Sequence, residues 1–288
     1  MRMIRLVATD IDGTLVDGNL NFPGNTMETL YWLNDQGIEV MLASGRSYEE
    51  ALQVVDAVDF PVGCICYNGA QTRDGQGTIV ESFPMDLSIL QSMEKIHDRL
   101  PVILLYLTSD KTYCCESLEK YRRECLRFSV EEEGLPTDVS VKRFEEVVLL
   151  REIVFSCPFE EIPLDDVLKC EWLFLSPAQF SALAGELSEV KGIDFMTGGY
   201  FNNMEVIQSG VSKGKALRDY CLTRGISLNE IITLGDSEND VSMLEGIEYS
   251  VAMGQSPQSV KDKAGYVTGD IQDDGFTQAV RTIITNEK

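Results

Sequence analysis

The ten residues from Leu6 to Leu15 constrain the fold more than any other stretch of this 288-residue chain. They begin as a short apolar run and end in two carboxylates, Asp10 and Asp12, which a single residue separates. Such a run, closed by a turn signal, predicts a parallel strand that is covered on both faces, and ligands gather at the carboxyl ends of such strands. Two neighbouring carboxylates repel each other unless a cation, hydrogen bonds or a bound proton relieve them. A hard divalent cation such as Mg²⁺ meets that need.

Two other kinds of structure contain an Asp-x-Asp-Gly string. A calcium-binding loop that began at Asp10 would need a glycine at its sixth position and a glutamate at its twelfth, where this chain has Leu15 and Asn21. A plain surface turn stays open for the string alone, because Asp and Gly are common turn residues. A second acidic cluster, in the last quarter of the chain, argues against the surface turn.

That second cluster follows another apolar run, Ile231 to Leu234, and contains Asp236 and Asp240. It repeats the pattern of a buried strand that ends in carboxylates. A little earlier, Lys213 stands at the start of a predicted helix, where a positive charge opposes the helix dipole. The lysine indicates an anion nearby, although a solvated lysine remains an alternative at this point. Two acidic clusters at the ends of strands in one sheet favour a metal site.

Ser44, Gly45 and Arg46 follow the second predicted strand, which covers residues 38–43 after a helix over 25–35. The right-handed crossover rule makes this strand parallel to the first, so Ser44 is expected above Asp10. Its hydroxyl group and the backbone N–H groups that follow could hold phosphate oxygens. Ser44 or Ser47 could equally cap the next helix, which begins near Tyr48.

The length and composition allow two domains of ordinary size, with 44% hydrophobic and 25% charged residues. A net charge of −23 makes nucleic acid and anionic membranes poor partners. No run approaches the length of a membrane span, and the N-terminus leads directly into a strand, so a cytoplasmic protein is expected. The oligomeric state does not follow from the sequence.

Residues 85–194 are richer in acidic residues and carry no motif with obvious chemistry. Helical patterns alternate there with strand-like runs, including one over 148–155. The strand-like run over 204–207 is assigned to the returning core. The prediction is therefore an α/β protein with a Rossmann-like, doubly wound parallel sheet formed by 1–84 and 195–288, and an inserted α/β domain at 85–194.

The ordered motifs resemble those of the haloacid dehalogenase superfamily, and specifically its Cof-type sugar-phosphatase branch with a type IIB cap. The match covers both ends of the chain, and the insertion lies where that branch carries its substrate-specificity cap. Ser44 replaces a frequent threonine, and Gln255-Ser256 replaces a frequent Asn-Ala, which leaves one loop contact in doubt. The matching motifs are Asp10-Ile11-Asp12-Gly13-Thr14-Leu15, Ser44-Gly45-Arg46, Asn68-Gly69-Ala70, Ser212-Lys213-Gly214 and Gly235-Asp236-Ser237-Glu238-Asn239-Asp240.

The resemblance implies a role for each carboxylate. Asp10 would be the nucleophile that forms an aspartyl-phosphate. Asp12 would be the general acid and base. Mg²⁺ would be held by the side chain of Asp10, the backbone carbonyl of Asp12 and Asp236. Asp240 would lie outside the direct ligands and orient Lys213 or a metal-bound water.

The resemblance also implies how substrate binds. Ser44, Gly45 and Lys213 would hold the phosphoryl oxygens, with Lys213 also screening Asp10, and Asn239 would contact the phosphate or the substrate. The expected function is that of a Mg²⁺-dependent phosphomonoester hydrolase for a small phosphorylated metabolite, either a sugar phosphate or a phosphorylated cofactor. A phosphomutase of the same superfamily and a non-catalytic protein that binds a phosphorylated ligand are the alternatives.

Overall fold

The computed structural model describes residues 3–100, 102–198 and 202–286. Contacts divide the chain into two compact units. The first combines 1–82 with 211–288, and the second is 83–210. An α/β core with an inserted α/β unit was predicted, and this class of fold is confirmed.

The described residues form fourteen strands and ten α-helices. The strands are Leu6–Thr9 (β1), Glu39–Ala43 (β2), Gly63–Cys66 (β3), Gln71–Arg73 (β4), Ile79–Ser82 (β5), Ile103–Leu107 (β6), Thr112–Cys114 (β7), Ile153–Phe155 (β8), Lys169–Leu173 (β9), Ile193–Thr197 (β10), Met204–Gln208 (β11), Ile231–Gly235 (β12), Tyr249–Ala252 (β13) and Tyr266–Val267 (β14). The helices are Thr26–Asp35 (α1), Tyr48–Val55 (α2), Leu87–Arg99 (α3), Leu118–Glu131 (α4), Thr137–Arg151 (α5), Pro177–Ser188 (α6), Lys213–Arg224 (α7), Val241–Leu244 (α8), Gln258–Lys261 (α9) and Gly275–Asn286 (α10).

The first unit contains an eight-stranded sheet in the order β14-β13-β12-β1-β2-β3-β4-β5. The strands from β14 to β3 are parallel, and the hairpin of β4 and β5 adds two antiparallel strands at one edge. All four residues of β1 are buried. Since alternate side chains of a strand point to opposite faces, Leu6 and Ala8 share a face, where they belong to one apolar cluster with Ala216 and Leu217 of α7. Helix α1 contacts β2 and α10.

Strand order determines where the polar loops of this sheet meet. β1 lies between β12 and β2, with Leu6 opposite both Ile231 and Glu39. The strands β12, β1, β2 and β3 are parallel, so the loops after them emerge at one edge. The residues that follow these four strands include Asp236, Asp10, Ser44 and Asn68.

The second unit contains a six-stranded sheet in the order β10-β11-β9-β6-β7-β8. Its pairs are antiparallel, except for the parallel pair of β7 and β8. Tyr106 and Trp172 from this sheet form an apolar cluster with Leu90 of α3 and Leu183 of α6.

Two details of the sequence-based prediction are wrong. The strand over 204–207 is part of β11, which pairs antiparallel with β9 and β10 in the second unit, so it does not belong to the core sheet. That unit therefore extends to residue 210, beyond the predicted limit at 194. The strand expected over 148–155 is confined to Ile153–Phe155, because α5 continues through Arg151. A short apolar run does not by itself distinguish a strand from a buried helical segment.

A membrane span would need a long apolar helix. None of the helices in the described residues is both long enough and apolar enough for that.

Candidate active site

Asp10 and Asp236 come together although 226 positions separate them in the chain. They follow the adjacent strands β1 and β12, in which Thr9 lies opposite Leu234. One carboxylate oxygen from each of Asp10, Asp236 and Asp240 lies within 4.8 Å of the other two. Carboxylates from the two acidic clusters of the sequence therefore meet at one edge of the sheet, close enough together that they could hold a metal ion.

Gly13 allows the loop after β1 to lie against this group. Its φ is +83°, in the left-handed region that favours glycine, and its N–H group donates to the carbonyl of Val16 at 3.0 Å. A Cβ atom at this position would lie 2.5 Å from Oδ2 of Asp236. Glycine is needed here both for the backbone conformation and for this close approach.

Gln255 connects the same loop to the C-terminal part of the core. Its Nε2 donates to the carbonyl oxygen of Gly13 at 2.5 Å, and its Oε1 accepts from the N–H group of Ile271 at 3.0 Å. The resemblance left this loop contact in doubt, because glutamine replaces a frequent asparagine. In this chain Gln255 makes hydrogen bonds both to the loop after β1 and to the segment that begins at Ile271.

Lys213 is the first residue of α7, and its side chain is only 1% exposed. Its Nζ donates to Oδ1 of Asp10 and to Oδ1 of Asp240, both at 2.7 Å. The solvated lysine that the sequence left open is thereby excluded. Burial alone would lower the pKa of Lys213, but the negative charges of Asp10 and Asp240 outweigh it and raise the pKa above its usual value.

Asp240 is fully buried, and protein groups bind both of its carboxylate oxygens. Oδ1 accepts from Lys213, and Oδ2 accepts from the backbone N–H groups of Asp236 and Ser237 at 2.9 and 3.0 Å. A carboxylate with these partners holds the lysine and the Asp236 loop in place. The predicted place of Asp240 outside the direct metal ligands stays a prediction.

Asp12 forms an ion pair with Arg46, which the sequence did not predict. Nε and Nη2 of Arg46 donate to Oδ2 and Oδ1 of Asp12 at 2.8 and 2.6 Å, which makes a two-point ion pair. The side chain of Asp12 is absent from the cluster of three carboxylates. The implied metal contact through its backbone carbonyl stays a prediction.

Ser44 does not cap the helix that follows it. Ser47 is the N-cap of α2, and its hydroxyl accepts from the N–H group of Glu50 at 3.1 Å. The hydroxyl of the buried Ser44 accepts instead from the N–H group of Arg46 at 3.2 Å. Of the two roles that the sequence allowed, the capping role therefore belongs to Ser47.

Gly45 and Asn239 both lie beside Asn68. Asn68 is buried and has a φ of +55°, a conformation that asparagine tolerates better than most residues. Its Oδ1 accepts from Nδ2 of Asn239 at 3.1 Å, and a Cβ atom on Gly45 would lie 3.1 Å from the same oxygen. The Asn68-Gly69 sequence marks the turn, but nothing in it predicts the contact with Asn239.

A family model described as haloacid dehalogenase-like hydrolase matches residues 7–280. The chain belongs to this family. The resemblance proposed from the motifs is confirmed, and so is the prediction of an enzyme of the phosphatase class, at the level of the family.

Named relatives of this hydrolase act on different phosphate esters. The chain is 24% identical to the pyridoxal phosphate phosphatase of Escherichia coli, over 96% of this chain and 97% of that protein. It is 23% identical to a 5-amino-6-(5-phospho-D-ribitylamino)uracil phosphatase of Bacillus subtilis, over 96% and 95%. Among solved structures, a subclass IIB sugar phosphatase of the superfamily is similar in fold, with a TM-score of 0.74, 24% identity and coverage of 97% and 98%.

The charges at the hydrolase site do not balance. Asp10, Asp12, Asp236 and Asp240 face Lys213 and Arg46, which leaves a net charge of −2 when all six groups are ionised. Burial, together with the charge of Asp240, raises the pKa of Asp10 well above its usual value. The same two causes raise the pKa of Asp236 to about 6. A divalent cation would remove this imbalance, and carboxylate oxygens are the ligands that Mg²⁺ prefers.

The raised pKa of Asp236 predicts how the stability of the hydrolase varies with pH when EDTA is present. The folded protein keeps a proton on Asp236 up to about pH 6, whereas the unfolded chain releases it near the ordinary aspartate pKa of 3.8. The free energy of unfolding should therefore rise as the pH falls from 7 to 5, by about 1 kcal/mol after allowance for solvent screening. Urea titrations at the two pH values measure this rise. Mg²⁺ should remove the rise, and the variant Asp236→Asn should reduce it to the part that the raised pKa of Asp10 contributes. An equal rise in that variant would assign the whole effect to another group.

Proposed function

We propose that this protein is a Mg²⁺-dependent phosphomonoester hydrolase that transfers the phosphoryl group to Asp10 and then to water. One observation carries the proposal. The buried Asp10 carboxylate accepts a hydrogen bond from the ammonium group of Lys213 and lies within 4.8 Å of a second carboxylate, Asp236, from the other end of the chain. A nucleophilic carboxylate needs cations around it, because it must approach an anionic phosphate ester.

Asp10 has the features that a phosphoryl acceptor requires. One oxygen, Oδ1, accepts from Lys213, and that bond fixes the orientation of the carboxylate. Asp10 would attack phosphorus in line, the bond from phosphorus to the substrate oxygen would break, and an aspartyl-phosphate would form. The ammonium group of Lys213 would lie beside the transferred phosphoryl oxygens and favour the negative charge that they carry.

Asp10 and Asp236 would hold Mg²⁺ with their carboxylates, and Asp12 would add its backbone carbonyl. When bound, the ion would supply charge that cancels repulsion between carboxylates and phosphate. Asp240 is less suited as a direct ligand, because Lys213 and two backbone N–H groups already bind its oxygens.

The remaining side chains would handle the leaving group and the phosphate. Asp12 would give a proton to the departing alkoxide and later take one from the attacking water. Ser44, the N–H group of Gly45, and Asn239 would bind phosphoryl oxygens or the substrate next to them. The fixed backbone around Ser44 and Asn68 would place these donors before substrate arrives.

The substrate would be a small phosphorylated metabolite, either a sugar phosphate or a phosphorylated cofactor. The named relatives support this class, since their substrates include pyridoxal phosphate and a phosphoribitylamino-uracil. We assign substrate selection to the unit of 83–210, by resemblance to the cap of the Cof-type branch. Eight free cysteines fit a cytoplasmic location, and the net charge of −23 disfavours nucleic acid as a partner.

A screen of phosphorylated metabolites for release of inorganic phosphate tests the proposal. The wild-type protein with Mg²⁺ should release phosphate from at least one sugar phosphate or phosphorylated cofactor, and the variant Asp10→Asn serves as the blank. Conversion of a sugar phosphate to its isomer without phosphate release would indicate a phosphomutase. Binding of these compounds without either product would indicate a non-catalytic protein.

The proposed role of Asp12 predicts a dependence on the leaving group. The variant Asp12→Ala should lose about 10²-fold or more in kcat/KM with an alkyl phosphate, because the alkoxide then departs without a proton. With 4-nitrophenyl phosphate the loss should be about tenfold or less, because nitrophenolate departs readily without protonation. Steady-state phosphate release measures both. Equal losses with the two substrates would remove the general-acid role from Asp12.

A further inference from the structure

Arg46 forms a two-point ion pair with Asp12 at the site. Its fork-shaped guanidinium reaches both oxygens of Asp12, at 2.6 and 2.8 Å. Arginine can form such a pair because its N–H donors match the spacing of the two carboxylate oxygens. The proposed general acid is therefore held by one specific partner.

The fold also holds Arg46 itself in place. Its N–H group donates to the hydroxyl of Ser44 at 3.2 Å. Its carbonyl accepts from the N–H group of Tyr67 at 2.9 Å. Nη1 donates to the carbonyl of Glu50 in α2 at 3.4 Å. The backbone of Arg46 is thus held next to the residues that follow β2 and β3, and its guanidinium contacts α2.

Asp12 needs such a partner more than Asp10 and Asp240 do. Its side chain is 37% exposed, whereas the side chains of Asp10 and Asp240 are 8% and 0% exposed. The terminal torsion of an aspartate side chain has a broad distribution of angles, so a partly exposed carboxyl would rotate unless a partner held it. Arg46, at 16% exposure, is the more buried member of the pair and can act as the fixed one.

We propose that Arg46 is a positioning residue that orients the Asp12 carboxyl group for proton transfer to the leaving group. One Asp12 oxygen would keep its hydrogen bond from Arg46, while the other would release the guanidinium and carry the proton that the departing oxygen takes. This inference rests on the proposed phosphatase function and adds a residue to it. Arg46 acts through Asp12 and not on the phosphoryl group. Its removal should therefore affect the same proton transfers as removal of Asp12.

Kinetics with two leaving groups test this inference. The variants are Arg46→Ala, Asp12→Ala and the double variant, and the substrates are 4-nitrophenyl phosphate and the best alkyl phosphate from the screen. The parameter is kcat/KM, because it covers the steps up to departure of the alcohol. Arg46→Ala should reduce it about 10²-fold with the alkyl phosphate and about tenfold or less with the aryl phosphate. Arg123→Ala, which removes an arginine side chain that is 66% exposed, is the matched control and should behave like wild type.

The double variant separates positioning from an independent role. If Arg46 acts through Asp12, its removal from the Asp12→Ala protein should cost less than about threefold. Arg46→Lys keeps the charge without the two-point geometry and should show the same preference for the aryl phosphate. This variant also decides the matter if Arg46→Ala does not fold.

Three results would overturn the inference. They are equal losses with both substrates, an additive loss in the double variant, and wild-type kinetics in Arg46→Ala. Each of them leaves the phosphatase function intact, provided that Asp12→Ala shows its own leaving-group preference. Absence of phosphate release from the wild-type protein would instead refute the proposed function.

Discussion

Replacement of Asp10 by asparagine is expected to abolish phosphate release while the protein stays folded. The amide lacks the anionic oxygen that would attack phosphorus, so kcat should fall by about 10⁴-fold or more, as it does when other covalent enzymes lose their nucleophile. The fold should survive because Asp10→Asn keeps the shape of the side chain and removes a charge that is costly to bury at this position. Phosphate release with Mg²⁺ and circular dichroism measure the two effects.

Asp35→Asn is the control for this prediction. It makes the same chemical change at an exposed position at the end of α1, and both its activity and its unfolding should match wild type. Turnover by pure Asp10→Asn protein within tenfold of the wild-type rate would assign the nucleophile to another group. Contamination is excluded by showing that the residual rate is constant between independent preparations.

The second large effect is expected on removal of the ammonium group of Lys213. Lys213→Met keeps much of the side-chain volume but leaves Asp10, Asp236 and Asp240 close together with no buried cation among them. Breaking a buried ion pair from one side costs about 3–5 kcal/mol. We therefore expect a loss of that size in the free energy of unfolding at pH 7 in EDTA. Urea titrations measure it, and saturating Mg²⁺ should recover part of it.

The pH dependence distinguishes loss of charge from loss of packing in this variant. At pH 5 the destabilisation by Lys213→Met should be smaller, because the carboxylates with raised pKa values then bind protons. Lys215→Met, at an exposed position in the same helix, should change stability by less than about 1 kcal/mol. A loss in Lys213→Met that is equal at both pH values and unaffected by Mg²⁺ would mean that packing, not charge, accounts for it.

Much of the site could be predicted from the pattern of short apolar runs that end in carboxylates. Asp10 and Asp236 each follow such a run, and parallel strands bring their carboxyl ends to one edge of a sheet. Their proximity therefore depends only on strand direction and order, which the crossover rule and the motif order constrain. The structure places the two carboxylates as that reasoning requires.

Contacts that depend on side-chain direction could not be predicted in this way. The pairing of Arg46 with Asp12 requires the geometry of two turns, and neither turn has a sequence signature for it. The state of Lys213 could not be predicted for a related reason. The local sequence around a lysine at the start of a helix is the same whether its side chain is solvated or buried. Its two carboxylate partners, 203 and 27 positions away, decide between these states.

The misplaced strand β11 has a different cause. Its residues are apolar and strand-like in either sheet, and only the pairing with β9 and β10 assigns it to the second unit. Strand propensity reflects local packing, so it does not predict to which sheet a strand belongs. The run before β8 was misread because four consecutive apolar residues suit a buried strand as well as a helix.

The Mg²⁺ requirement of phosphate release tests the central claim most directly, namely that Asp10 and Asp236 share a divalent cation that the reaction needs. The measurement follows phosphate release by EDTA-stripped wild-type and Asp236→Asn proteins as Mg²⁺ is titrated back. We predict no release without the ion, full recovery in the wild type, and an increase of at least about 100-fold in the Mg²⁺ concentration that Asp236→Asn needs for half-maximal rate. Full activity after chelation, or the same Mg²⁺ requirement in both proteins, would contradict the shared site.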